Sequence, residues 1–264
     1  VAAKSICTFD ETDFAGSQGD WPYQKADLNR LDNSFDTSFY NQPRFVTHID
    51  DRAIAALTKY YQQEFMAVND GGKKNLDILD LCSSWISHLP QNIEYGRVVG
   101  VGMNEKELEA NKQLTDFIVQ DLNEQPKLSQ LEDNSFDVIC NVVSVDYLTK
   151  PLESFQEIHR VLRPGGVALM SFSNRCFPTK AIAMWLQADD IGRLTIVASY
   201  FHYSAVWKSI EALDLKDQQQ VVPKRPSVGE ILRNPASGMA WMSAASAVSK
   251  TNGGDPMFTV KGIK

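Results

Sequence analysis

Apolar and polar positions along the middle of this chain alternate between two rhythms. After Asp50 and Asp51, the residues Ile54, Leu57, Tyr60 and Tyr61 fall on one face of a helix for which Asp50 is a natural N-cap. A turn cluster, Asn69-Asp70-Gly71-Gly72, then leads into the apolar run Leu76 to Leu81, which reads as a buried strand. A second such run, Arg97 to Val101, precedes a short helix near Glu105 to Ala110 and a strand at Phe117 to Val119. A further strand spans Phe136 to Val143 after the turn residues Asp133 and Asn134. Between Leu152 and Leu162 the apolar positions return to helical spacing and stop at Arg163-Pro164-Gly165-Gly166, with a strand at Val167 to Phe172. Alternation of this kind predicts an α/β fold, a doubly wound and mostly parallel sheet with helices on both faces.

Beyond Phe172 the rhythm is weaker. The pattern predicts a helix from Thr179 to Leu186, an aromatic cluster Tyr200-Phe201-His202-Tyr203, and two strands, Ser209 to Leu213 and Met257 to Ile263. Residues 217–254 read as an insert, with a glutamine run, three prolines and the apolar, small-residue stretch Ser237 to Val248. It is a docking segment or packs on its own domain, and the two readings stand equal. At the other end, residues 1–45 form an acidic, turn-rich arm whose aromatics, Phe9, Phe14, Trp21, Tyr23, Phe35, Phe39 and Tyr40 among them, follow no period and need somewhere to bury. The chain therefore divides into an arm (1–45), a core (46–216), the insert (217–254) and a last core strand (255–264).

Composition narrows the class. With 43% hydrophobic and 22% charged residues, the chain is a folded globular protein rather than a disordered or fibrous one. Its net charge of -7 and its lack of an interleaved basic patch argue against nucleic acid as a partner. No apolar run approaches the roughly 18 residues of a transmembrane helix. The cysteines Cys7, Cys82, Cys140 and Cys176 are scattered without a C-x-x-C pair, so no metal site is expected and a reducing compartment is. The chain opens at Val1 with no apolar signal region, which leaves a removed targeting segment or a trimmed terminus as alternatives.

Two strings carry more specific information: Phe136-Asp137-Val138-Ile139 and, after Tyr147-Leu148, His159-Arg160-Val161-Leu162-Arg163-Pro164-Gly165-Gly166. Together with the strand from Leu76, they make the segment from Leu76 to Ser173 resemble the class I S-adenosylmethionine-dependent methyltransferases, in the branch often called type 11. The resemblance implies a Rossmann-like sheet of seven strands, the last one antiparallel to its neighbours. It also implies S-adenosylmethionine as cofactor. In that family the first strand ends in a glycine-rich turn, L-D-x-G-x-G-x-G; here the string is Leu79-Asp80-Leu81-Cys82-Ser83-Ser84-Trp85-Ile86, with every glycine replaced. Similar glycine-poor strings are found among plant, algal and cyanobacterial proteins, which points to a plastid stroma, with the cytoplasm as alternative.

Carried over position by position, the resemblance implies a donor site at Asp80, Cys82, Ser83 and Ser84 in the first loop. Gly102 and Asn104 stand where the family holds the ribose, Asp121 where it contacts the adenine amine, and Asn141 after the fourth strand. In a doubly wound sheet reacting groups gather beyond the carboxyl ends of the strands, which selects Asp146 and Tyr147 as catalytic candidates; His202, flanked by aromatics, is a third. Each has a plainer structural role available, as cap, turn or packing residue. The expected activity is methyl transfer to a small lipophilic molecule or a protein. The alternative is an inactive fold that binds a larger complex through the arm and the insert, with Trp85 plugging the donor hollow. A dinucleotide oxidoreductase, a third class, ranks far below both because Cys82 to Pro90 supplies neither a glycine-rich phosphate turn nor the long helix it would open.

Overall fold

Residues 3–14, 20–69, 75–215 and 254–264 are described in a computed structural model of the chain. Residues 217–253 of the expected insert, and with them any docking role, lie outside the described residues.

Eight strands form one sheet in the order β1-β7-β8-β6-β5-β2-β3-β4. They are β1 (Lys4–Phe9), β2 (Leu76–Leu81), β3 (Tyr95–Gly102), β4 (Asp116–Val119), β5 (Phe136–Val142), β6 (Leu162–Phe172), β7 (Ser209–Asp214) and β8 (Phe258–Ile263). The run from β4 through β3, β2 and β5 to β6 is parallel, whereas β8 runs antiparallel to both β6 and β7. The sheet has one strand more than the seven expected, because Lys4–Phe9 of the arm pairs antiparallel with β7. That strand was invisible in the sequence: its burial is irregular, and its register slips between Ser5 and Cys7.

Among the described residues there are six α-helices: α1 (Asp36–Phe39), α2 (Asp51–Val68), α3 (Glu105–Ala110), α4 (Pro151–Val161), α5 (Ala183–Gln187) and α6 (Asp190–Ser204). Asp50 caps α2, accepting the Ala53 amide at 2.8 Å, and the helix lays Leu57, Tyr61 and Phe65 on one face of the sheet against Ile78, Val138 and Leu169. The opposite face is covered by α4 and α6, where Phe155 meets Tyr200 and Phe201 edge to face at 5.3 and 4.9 Å. The helix α6 is buried almost all round, so its sequence shows no amphipathic period and only its aromatic cluster stood out.

Between β2 and β3 the chain makes no helix, in keeping with Pro90. The chain order reverses at β2, which has β3 on one side and β5 on the other, and the carboxyl ends there form a switch point, the place where α/β sheets bind ligands. The arm closes over it. Lys180, fully buried, donates to the Ser34 carbonyl at 2.8 Å and lies 3.2 Å from both Asp32 and Asp36, while Arg30 grips Asp36 through one nitrogen at 2.7 and 2.8 Å. Trp21 and Tyr23 pack on Tyr200, and the Tyr23 hydroxyl meets Ser199 at 2.8 Å.

Lys180→Met removes one charge from this buried cluster while Arg30 still faces Asp36, so the expected loss is about 2–3 kcal/mol, below the full cost of stranding a buried charge. Urea denaturation checks it; a loss under about 0.5 kcal/mol would mean that the arm is held by its aromatics alone.

Candidate functional site

The turn after β2 is built without glycine yet keeps a glycine-like backbone. Cys82 has φ 57°, a left-handed conformation that costs a side-chain-bearing residue about 1–3 kcal/mol. His88 (φ 55°) and Val143 (φ 45°) share it, and all three line one cavity. Hydrogen bonds hold the turn in place. Asp80, buried at the end of β2, accepts from the Ser83 hydroxyl at 2.6 Å and the Ser87 hydroxyl at 2.7 Å. Asn111 donates to Ser87 and to the Ser84 carbonyl, at 2.7 and 2.9 Å, and the Ser83 amide donates to Val101 on β3 at 2.8 Å. Burial pushes the Asp80 carboxyl up to about 6 against the pull of the two serines.

The loop so formed lies beside the cavity rather than in it. The hollow, about 560 Å³, sits over the carboxyl ends of β2, β3, β4, β5 and β6, within the roughly 300–1,000 Å³ of small-molecule sites. Trp85 does not plug it: its indole N–H donates to the Val46 carbonyl at 3.1 Å and its ring meets Phe45 edge on, making a wall shared with the arm.

The residues singled out from sequence scatter around this hollow unevenly. Asp80, Cys82, Ser83, Ser84, Gly102, Asn104, Asp121 and Tyr147 line it. Asp121 holds the amides of Asn123 and Glu124 with one oxygen, at 2.9 and 3.4 Å, while its Oδ2 is shielded from solvent with no partner. Asn104 caps α3 through the Glu107 amide, and its amide group donates to the Tyr40 carbonyl at 2.8 Å. Gly102 is glycine because a Cβ there would overlap the Ser83 carbonyl oxygen: the loop backbone occupies the place of a side chain. The Tyr147 hydroxyl accepts the Phe177 amide at 2.8 Å.

Asn141, Asp146 and His202 do not line the hollow. Asn141 donates to the Leu81 carbonyl at 3.1 Å beneath the floor. Asp146 is buried under Tyr147, and His202 stacks on Phe14 of the arm at 4.3 Å, a packing contact away from the site. Glu107 was missed. It is buried on α3, accepts the Ser84 hydroxyl at 2.5 Å and the Arg44 amide at 2.6 Å, and so clips the arm to the loop. Its signal was available, since it sits three residues after a capping asparagine.

Residues 82–170 match the family model described as a methyltransferase domain. That segment, about a third of the chain, is similar to a methyltransferase domain. Over 101 residues it is 30% identical to the demethylmenaquinone methyltransferase of two Staphylococcus epidermidis strains, a stretch covering 37% of this chain and 42% of those proteins. The chain thus spans about two fifths of the length of the curated relatives it matches. Among solved structures it is similar to an S-adenosylmethionine-dependent methyltransferase from Archaeoglobus fulgidus, with a TM-score of 0.48, 12% identity and coverage of 79% of this chain and 93% of that one. A second, from Aquifex aeolicus, has a TM-score of 0.44, 14% identity and coverage of 81% and 94%.

S-adenosylmethionine is the cofactor that this similarity implies, and the residues present fit it. Asp121, in the lining of a hollow of sufficient size, has a buried carboxylate oxygen without a hydrogen-bond partner, and Cys82 keeps the positive φ of the turn. Among the described residues, no helix is long and apolar enough to cross a membrane.

Asp146 gives a stability test. Burial pushes its carboxyl up to about 8 from an ordinary 3.8, and its Oδ2 has no partner among the described residues. The folded protein therefore keeps a proton that the unfolded chain has lost between pH 3.8 and about 8, and stability falls as pH rises through that window, by at most about 1.4 kcal/mol per pH unit. Asp146→Asn removes this contribution. Urea midpoints at pH 5 and pH 7.5 should lie closer together in the variant than in the wild type, and an unchanged gap would place the titration elsewhere.

Proposed function

We propose that this chain is an S-adenosylmethionine-dependent methyltransferase acting on a lipophilic aromatic small molecule of the quinol type. The observation that carries the donor half is the unpartnered Asp121 Oδ2 at the edge of an open cavity over the switch point. In this reading it accepts a hydrogen bond from the adenine amine, as the resemblance implies. Ser83 and Ser84 direct their hydroxyl protons to Asp80 and Glu107, so their remaining lone pairs and the loop backbone face the amino-acid end of the donor. The bound donor supplies a methyl group on a sulfonium, open to in-line displacement. The protein's own part is to hold the two reactants close and keep water out.

The acceptor half is supported by the chemistry of the walls and by the name of the curated relatives, which act on a demethylated menaquinone. Tyr40, Trp85, Tyr147 and Phe177 line the site, and Phe45 and Val46 are exposed beside Trp85. Of the three catalytic candidates, Tyr147 alone lines the hollow, and we assign it the role of orienting the acceptor. The division into an arm, a core, an insert at 217–254 and a last strand is retained as part of the proposal, with the insert as the segment that meets a protein partner. A soluble site in a plastid stroma belongs to the same reading.

Isothermal titration with S-adenosylmethionine and S-adenosylhomocysteine tests the donor site. Both should bind, and Asp121→Ala should weaken both by roughly 10- to 100-fold, the worth of a hydrogen bond to a charged group. Absence of binding to the folded wild type at millimolar ligand would reject the reading.

A further inference from the structure

Asp80, Glu107 and Asp121 line the side of the cavity built by β2, α3 and β4; Asp36 of the arm, also in the lining, is already paired with Arg30 and Lys180; and Arg44 of the arm, His48 just after it and His88 of the first loop stand together. These last three are neighbours: His48 feels the charge of Glu107 and then that of Arg44, and His88 that of His48.

Arg44 is held as a bound cation without an anion. Its guanidinium carbon lies 4.3 Å from the Phe39 ring centre, 5.4 Å from Phe177 and 5.5 Å from Tyr40. Its Nη2 donates to the Phe39 carbonyl at 2.9 Å, and its backbone amide is fixed on Glu107. Its Nη1 is shielded from solvent and has no hydrogen-bond partner, and among the described residues no carboxylate forms an ion pair with the guanidinium. A buried, charged N–H left unpaired is costly unless a ligand brings the missing acceptor. Burial holds both imidazoles toward the neutral form, His88 down to about 4, so neither substitutes for Arg44 as a fixed positive charge at neutral pH. The buried, unpartnered Nδ1 of His88 adds a neutral polar contact. Arg175, the other arginine of the lining, is already paired with Asp255 at 2.7 Å.

We propose that Arg44 is the specificity-determining residue for the acceptor and that the acceptor carries a carboxylate, bound at Nη1, on an aromatic body seated in the hollow that Tyr40, Trp85 and Tyr147 line. This deepens the methyltransferase reading and rests on it for the role of acceptor. Arg44 lies outside the segment that matches the methyltransferase family, on the part of the chain that the arm adds to the domain. The donor carries a carboxylate too, and the test separates the two sources.

The probes are 1-hydroxy-2-naphthoate and its neutral counterpart 1-naphthol, titrated into protein saturated with S-adenosylhomocysteine. Wild type should bind the naphthoate at least tenfold more tightly than the naphthol. Arg44→Gln should abolish that preference while leaving naphthol and S-adenosylhomocysteine affinity within about twofold, and Arg44→Lys, which keeps the charge, should restore part of it. Equal binding of the two probes by wild type, or a preference that survives in Arg44→Gln, overturns the proposal. A tenfold loss of S-adenosylhomocysteine affinity in Arg44→Gln also overturns it, because the anion would then be the donor's own. Should S-adenosylhomocysteine fail to bind at all, the methyltransferase reading falls; an Arg44-dependent preference for naphthoate by the protein alone would still uphold the carboxylate site. Thermal melts of both variants establish that they fold.

Discussion

The site depends on one buried carboxylate. Asp80 ends the central strand β2 and gathers the hydroxyls of Ser83 and Ser87 at 2.6 and 2.7 Å, and this fixes the path of the chain between them. Glycines ordinarily let backbone approach a ligand because they carry no side chain and tolerate positive φ. Here a cysteine takes the positive φ at position 82, and hydrogen bonds supply the rigidity. Asn111 and Glu107 extend the network to α3, and Glu107 passes it to the arm through the Arg44 amide. Loop, helix and arm therefore hold one another in position, and the hollow remains because none of them is free to collapse into it.

This arrangement makes the arm part of the site. Its first strand closes the sheet edge beside β7, its aromatics pack on α6, and its later residues are tied down by Lys180 and Asp36 before they wall the cavity. A chain with a short first loop and no helix behind it has lost the helix-terminus field that such a turn usually presents to a ligand. The polar groups around the hollow are instead side chains, with Asp80, Glu107 and Asp121 on the side of β2, α3 and β4, and Arg44 and the already paired Asp36 contributed by the arm.

The sheet was legible because its central strands are buried on both faces and read as continuous apolar runs: Leu76 to Leu81 was read with the bounds it has, and Glu105 to Ala110 as the helix it is. The arm strand and α6 escaped, the first for its irregular register and the second because burial all round erases amphipathic period. Asp121 was singled out through a positional resemblance, and in the structure its Oδ2 is buried without a hydrogen-bond partner. Glu107 and Arg44 were passed over because their importance is long-range: they meet across 63 positions of sequence, a pairing no local pattern encodes. His202 attracted attention by its aromatic neighbours, which are packing partners.

The central claim is that a turn without glycine still leaves room for an adenosyl donor over β2. A crystal structure grown with S-adenosylhomocysteine tests it most directly. The account predicts the ligand over the carboxyl ends of β2 to β5, its adenine amine within hydrogen-bond distance of Asp121 Oδ2 and the Trp85 indole still bonded to Val46. A structure with Trp85 or the Ser83 and Ser84 side chains folded into the hollow, and the ligand absent or bound elsewhere, would contradict it.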